Sequence, residues 1–344
     1  MKKADLKIPK ITRLPSGSYT AQVMVDGKRH RITADTEERC AAELAAIKYR
    51  AMQKVKREKA GVLLLRDALE NYLDARQDSL SPSTLLGYTR YMNTAFQSMM
   101  DFDINNTTDE QWQAAIRRES KGKSAKYVAN IWGFFSSAIY EATGKKPRVQ
   151  LPQKKKNTRP YLDSDEVGIF VAAIKGKKIE IAALLALSSL RRSEIKALRW
   201  SDVDEKNSRI HVQGAMVYGE EGLVHKYQNK TETSNRWIPI IPPLQEAFAA
   251  ADKTGEYIVS QSGNWIYDNI NKICVENGLP EVGIHGLRHS FASLAYHLQI
   301  PTKITMELGG WKDEATVNKI YTHVSQKDIA KRAADFSQFF KKNE

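Results

Sequence analysis

The stretch KKPRVQLPQKKKNTRP at residues 145–160 constrains the fold more than any other. Its three prolines fix φ and remove backbone donors, its Lys triplet resists burial, and it has no apolar period. Neither a helix nor a central strand runs through such a segment, so the cores must form on either side of it. A length of 344 residues agrees, since it suggests two or three domains.

The two sides carry different periods. Residues 11–34 alternate in character and hold Asp26-Gly27, a two-residue hairpin signal, so ITRLP, YTAQVMV and KRHRIT read as three small antiparallel strands. A helix follows from Thr36 as N-cap, with Ala42, Leu44, Ala45, Ile47 and Met52 on its apolar stripe. From Leu63 to Gly144 the period is helical throughout, with Ser81-Pro82 as a start signal and Gly144 as a stop. The aromatics Tyr72, Tyr88, Tyr91, Phe96, Trp112, Trp132, Phe134 and Phe135 fall at helical spacing, which predicts core rather than base-stacking surface. Beyond Tyr161 the helices IEIAALLALSSL and SEIKALRW are followed by the strands RIHVQGAMVYG, GLVHKYQ and NRWIPI. The expected chain is α+β and multidomain: sheet plus helix at 1–60, helical at 61–146, linker at 147–160, and a mainly helical part with a small antiparallel sheet at 161–344.

Charge narrows the partners. The chain carries a net +13, and residues 1–60 hold 15 Lys and Arg against 7 Asp and Glu, whereas the part after residue 157 is nearly balanced. Clustered cations gain free energy by releasing counterions from a phosphate backbone, so a nucleic acid is the expected partner. On the strand KRHRIT, Lys28 and His30 alternate with Arg29 and Arg31, so that one set could enter a groove while the other grips phosphate. Lys154, Lys155 and Lys156 in the linker are candidates for phosphate contact. Cys40 and Cys274 lack the spacing of a zinc site, and no apolar run reaches the roughly 18–20 residues of a membrane span. No carboxylate cluster at metal-ligand spacing accompanies the motifs below, so neither metal nor cofactor is expected. The amino terminus lacks the apolar stretch of a secretory signal, and a cytoplasmic protein beside the nucleoid is expected.

Four segments of the second half stand in a fixed order. LSSLRRSEIKALRWSDVD holds Arg191, QNKTETSNRWIPI holds Lys230, GIHGLRHSFASLA holds His285 and Arg288, and LGGWKDEATVNKIYTHV holds Trp311 and Tyr321. Together they resemble the catalytic domain of the tyrosine recombinases, the phage-type integrase family. The first 60 residues resemble the family's arm-type DNA-binding domain, and residues 61–146 its helical core-binding domain.

The resemblance implies a phosphodiester-cutting site. Arg191 and Arg288 become forks on the phosphate oxygens, a task that suits a planar cation charged at any relevant pH. Arg192 is the alternative to Arg191; the family's Thr-Gly pair two residues upstream is here Ser188-Ser189. Glu194 is implied to orient Arg191. Lys230 is implied as general acid to the leaving 5′ oxygen, with Lys226 its competitor. His285 becomes the base or hydrogen-bond partner, His289 a structural neighbour, and Trp311 a donor that cannot shuttle a proton. Tyr321 is the implied nucleophile, forming a 3′-phosphotyrosine that conserves bond energy and needs no ATP.

The implied activity is site-specific integration, with excision, of a phage or mobile element. A homotetramer would act on double-stranded core and arm sites, with an excisionase and a host DNA-bending protein as candidate partners. A chromosome-dimer resolvase, a type IB topoisomerase-like enzyme and a non-catalytic DNA-binding regulator stay open as alternatives. The basic N-terminal part favours the integrase, and the intact residue set counts against the regulator. In the tail, Ile329, Ala333, Phe336 and Phe339 or Phe340 recur at helical spacing, and the resemblance implies docking on an adjacent protomer.

Overall fold

A computed structural model describes residues 9–25, 27–154, 160–219, 222–226 and 235–321, with Ala333 and Gln338. The chain divides into two compact units, residues 1–155 and 156–344.

In the first unit β1 (Thr12–Arg13), β2 (Tyr19–Val25) and β3 (Lys28–Ala34) form an antiparallel sheet in that order. Two residues join β2 to β3; Gly27 takes φ +75°, as a tight hairpin turn demands, while Asp26 lies outside the described residues. The Thr36 hydroxyl accepts the Arg39 N–H at 3.2 Å and starts α1 (Glu37–Lys59). Cys40 and Leu44 of α1 are fully buried against Ala21, Val23, Ile32 and Ala34, with Ile47 half-buried behind them. Ala42 is exposed, because two residues from both Cys40 and Leu44 it points about 200° away round the helix; Met52 lies beyond this small core and is exposed too. The end of α1 is tied down by Arg57 on buried Asp67 at 3.0 Å and by Lys54 on Asn71 at 3.0 Å.

The helices α2 (Leu65–Asp74), α3 (Pro82–Thr94), α4 (Asp109–Glu119) and α5 (Ala125–Thr143) share one core. Ser81, Thr108 and Ser124 cap their starts with side-chain oxygens, Pro82 occupies the first turn of α3, and Gly144 ends α5 at φ +69°. All eight aromatics named above pack in this core, with Tyr88 stacked on Phe134 at 4.3 Å. The proline-rich segment begins pinned rather than free. Arg148 N–H donates to Asp109 at 2.9 Å, Gln150 N–H to Gln113 at 2.7 Å, and Val149 packs on the core. An extended backbone leaves its N–H groups unpaired, and the side chains of α4 satisfy them. Lys154 is exposed; Lys155 and Lys156 lie outside the described residues.

The second unit is entered through Leu162, fully buried, whose N–H donates to the Ser290 hydroxyl at 2.8 Å. Helices α6 (Ser164–Ile174), α7 (Glu180–Leu187), α8 (Arg192–Ala197), α9 (Pro242–Ala249), α10 (Gly263–Glu276) and α11 (Gly283–His297) enclose its core, with α7 buried along nearly its whole length. The antiparallel sheet has the order β4 (Val203–Asp204), β5 (Arg209–Val212), β8 (Arg236–Pro239). The run read as one strand over 209–219 breaks at Gln213-Gly214, and β6 (Ala215–Gly219) pairs instead with β7 (Gly222–Lys226) in a separate hairpin. Helices α12 (Thr302–Gly309) and α13 (Glu314–Tyr321) complete the described part, packed on α11 through Ala292, Trp311 and Val317.

Candidate active site

The site starts from a chain reversal. Helix α7 ends at Ser188, and Ser189, wholly buried, adopts φ +71°, the left-handed conformation that normally falls to glycine. Leu190 N–H returns to the Leu185 carbonyl at 3.1 Å, which leaves Arg191 extended as the N-cap of α8. Glu194 reaches back and accepts the Arg191 N–H at 2.8 Å, a capping contact that fixes the start of α8 and the stem of Arg191 together.

Glu194 then holds the guanidinium as well. Arg191 Nη1 donates to its Oε1 at 2.6 Å, while Nη2 donates to the Gly310 carbonyl at 2.7 Å. Arg191 remains about one-third exposed, so part of its fork faces outward; Arg192 beside it is exposed. Glu194 is 3% exposed. Burial alone would push its carboxyl up, but Arg236 and Arg191 outweigh that effect and hold it below the usual glutamate range.

Arg236 was not singled out from the sequence. It opens β8 and is itself 6% exposed, with Nη2 on Glu194 at 3.1 Å and Nε on the Leu308 carbonyl at 3.0 Å. Its only signal is that it closes the string K-T-x-x-S-x-R begun by Lys230. Lys230 itself lies outside the described residues, while Lys226, its competitor, is half-buried at the end of β7 opposite Ala215.

On α11, His285 is exposed and Arg288, one turn on, is buried at 6%. Arg288 Nη1 donates to the Ser189 carbonyl, and its guanidinium lies 4.3 Å from the centre of the Trp311 ring. Burial, with Arg191 nearby, pulls Arg288 down to about 9, so a cation is costly at this position. Trp311 is 9% exposed, stacked on Phe291 at 6.1 Å and resting on Gly309, where any Cβ would overlap its ring. Gly310 follows at φ +62°, ends α12, and turns its carbonyl to Arg191. His289 is half-buried.

Tyr321 stands in the last turn of α13 against the same small cluster as Trp311, with its ring 5.2 Å from that of Tyr296. Its hydroxyl is enclosed and has no hydrogen-bond partner among the described residues. The fold thus gathers Arg191, Glu194, Arg288 and Trp311 around the Ser189 and Gly310 carbonyls, and sets Tyr321 on the helix next to Trp311. Of the tail, Ile329, Phe336, Phe339 and Phe340 lie outside the described residues; Ala333 is exposed.

The N-terminal sheet corrects one expectation. His30 is half-buried and pairs across strands with buried Val23, so its face is the one turned to α1, the less accessible of the two. Strand alternation puts Arg29 and Arg31 on the opposite, exposed face, beside Met24 and Gln22 on β2. The side chain of Lys28 lies outside the described residues. Among the described residues no group of His, Cys, Asp and Glu could hold a metal ion, and no helix is long and apolar enough to cross a membrane.

Residues 160–328 match the profile of the phage integrase family. A tyrosine recombinase XerC-like protein of Caldanaerobacter subterraneus subsp. tengcongensis is 27% identical over 266 residues, covering 64% of this chain and 68% of that protein. The prophage integrase IntF of Escherichia coli K12 is 26% identical over 190 residues, 51% of this chain, and only 37% of that protein is matched. Among solved structures, the Tn1549 transposon integrase in complex with transposon right end DNA has TM-score 0.65 at 17% identity, over 80% of this chain and all of that one. A lambda integrase tetramer bound to a Holliday junction has TM-score 0.53 at 17% identity, over 90% of this chain and 97% of that one. At such identities the structural likeness shows the multidomain fold.

Proposed function

The chain belongs to the phage integrase family of tyrosine recombinases, and from that premise we propose that it is the site-specific integrase of a phage or mobile element. It cuts and rejoins DNA strands through a 3′-phosphotyrosine. The observation that carries the reading is that two arginines from distant helices are brought together, Arg191 held by the Gly310 carbonyl and Arg288 by the Ser189 carbonyl just before Arg191, with Tyr321 in the same cluster as the tryptophan that covers Arg288.

In this reading the exposed part of Arg191 and the guanidinium of Arg288 take two non-bridging phosphate oxygens, and Trp311 keeps water and other anions off Arg288. Neutralised, the phosphorus accepts the Tyr321 oxygen in line. Lys230 gives the 5′ oxygen its proton, and His285 handles the proton of the phenol or steadies the phosphate. The Tyr321 hydroxyl is enclosed, so attack requires α13 to loosen from Trp311 and Met306. Binding on DNA drives that step.

Arg29 and Arg31, with Gln22 and Met24, form the face that reads arm DNA, while the helical part of the first unit and Lys154 to Lys156 hold core DNA. Four copies assemble on two duplexes, and the tail docks on a neighbouring copy. An excisionase and a host DNA-bending protein would set direction. The enzyme works in the bacterial cytoplasm and calls for no metal or cofactor.

The test is a suicide duplex nicked beside the crossover, carrying the junction sequence of the encoding element. The parent chain should trap a covalent protein–DNA adduct in excess EDTA, and Tyr321→Phe should trap none while binding the duplex normally. An adduct with Tyr321→Phe, or one that appears only with added divalent metal, defeats the reading.

A further inference from the structure

One buried cation is left without a role by that mechanism. Arg236 has a side chain only 4% exposed, and its Nε, Nη1 and Nη2 all donate to protein oxygens, so it has no free fork to present to a DNA phosphate. Its guanidinium makes four hydrogen bonds to three residues: Nη1 and Nη2 on Glu194 at 3.3 and 3.1 Å, Nη2 on the Ser189 carbonyl at 3.3 Å, and Nε on the Leu308 carbonyl at 3.0 Å. The backbone of Gly310 lies so close that a Cβ there would stand 2.9 Å from Nη1.

Every one of these partners also serves one of the two phosphate-facing arginines or adjoins a group that does. Glu194 holds Arg191, the Ser189 carbonyl holds Arg288, and Leu308 is two residues from the Gly310 carbonyl that takes the other arm of Arg191. Arg236 is also the first residue of β8, where it pairs with Val212 of β5. A buried ion pair adds little stability over an apolar pair of the same shape, so stability gives a weak reason for a full guanidinium here. Geometry gives a stronger one. Only a planar fork can meet a carboxylate and two carbonyls at once, and a lysine ammonium would reach fewer of them.

Resting on the integrase reading above, we infer that Arg236 is a positioning residue: acting through Glu194 and the Ser189 and Leu308 carbonyls, it sets Arg191 and Arg288 in one register without touching DNA. It also shares the charge of Glu194. Without it, that carboxylate would pair with Arg191 alone and draw its fork inward, away from phosphate.

The experiment compares two suicide duplexes with the element's junction sequence, one with an ordinary phosphodiester at the crossover and one with a neutral methylphosphonate. The neutral group does not need a precisely aimed cationic clamp, so a variant damaged only in that clamp recovers on it. Arg236→Gln in the full chain should form adduct about 100-fold more slowly on the phosphodiester, the scale of losing one aimed donor, and within about 10-fold of the parent on the methylphosphonate. Arg236→Lys should fall between, and Arg191→Ala should show the same substrate dependence. Duplex affinity should stay within about threefold, because a guanidinium whose nitrogens are all taken up by protein oxygens makes no phosphate contact. A parent-like rate for Arg236→Gln on the phosphodiester overturns the proposal, and so does an equal fall on both substrates, which is what general loss of structure produces. Should Arg236→Gln not fold by circular dichroism, the ratio of the two rates in Arg236→Lys decides in the same way. A parent chain that yields no Tyr321-dependent adduct defeats the integrase reading, whereas a parent that does, with a flat ratio in the variants, defeats this inference alone.

Discussion

Ser189→Gly should make the second unit more stable while leaving strand cleavage intact. Ser189 pays for its place in the reversal twice. A side chain at φ +71° costs roughly 1–2 kcal/mol relative to glycine, and its hydroxyl is buried with no hydrogen-bond partner among the described residues, a desolvation cost of roughly 1 kcal/mol or more. Against this, glycine loses about 0.5–1 kcal/mol more backbone entropy on folding, and removing a small packed side chain costs about 0.5 kcal/mol of contacts. The balance favours glycine by about 1 kcal/mol, or roughly 2–4 °C in the melting temperature of a unit of this size. Thermal melts followed by tryptophan fluorescence measure it, with Ser189→Ala as control. Alanine removes the hydroxyl but keeps the backbone strain, so it should gain less than glycine. The carbonyl that holds Arg288 and Arg236 keeps its direction in both, and suicide-substrate cleavage should be unchanged. A glycine variant no more stable than the alanine variant would refute the strain argument, and one that lost cleavage would show that the hydroxyl itself acts.

Gly309→Ala should be damaging, because its Cβ overlaps the Trp311 ring and pushes it off Arg288; the expected cost is about 1–3 kcal/mol with a large drop in adduct, and parent-like values for both would mean that the tryptophan has room to move. Glu194→Gln should cost roughly 3 kcal/mol near neutral pH by leaving buried Arg236 and half-buried Arg191 short of charge. The folded-state value of Glu194 lies below its ordinary 4.5, so its contribution is present above 4.5 and is lost as pH falls through the lower folded value. Urea melts across that range should therefore show the deficit of the variant shrinking with acidification, and a constant deficit would exclude the carboxylate charge as the cause. A chain beginning near Ala60 should cleave core DNA and lose affinity for arm DNA; equal integration by both chains would remove the N-terminal sheet from DNA recognition.

The linear chain determined whatever depends on neighbours within a turn or two. Thr36, Ser81-Pro82 and Gly144 mark helix ends because capping is a local exchange of hydrogen bonds, and the eight aromatics of the helical part reach its core because their spacing matches 3.6 residues per turn. The order of Arg191, Lys230, His285, Arg288 and Tyr321 was equally legible, since a family's chemistry is written in residue types. Depth was not. That His30 faces α1 while Arg29 and Arg31 face outward depended on which side of the sheet the helix covered, and alternation alone is symmetric between the two faces. Likewise nothing near Arg236 distinguishes it from the chain's many other cations. Its burial follows from Glu194, 42 residues away, as the clamp on Arg191 follows from Gly310, 119 residues away, and that on Arg288 from Ser189, 99 residues away. Whether an arginine meets solvent, a phosphate or a buried carboxylate is set by what packs around it. In this fold those neighbours come from segments that only the tertiary structure brings together.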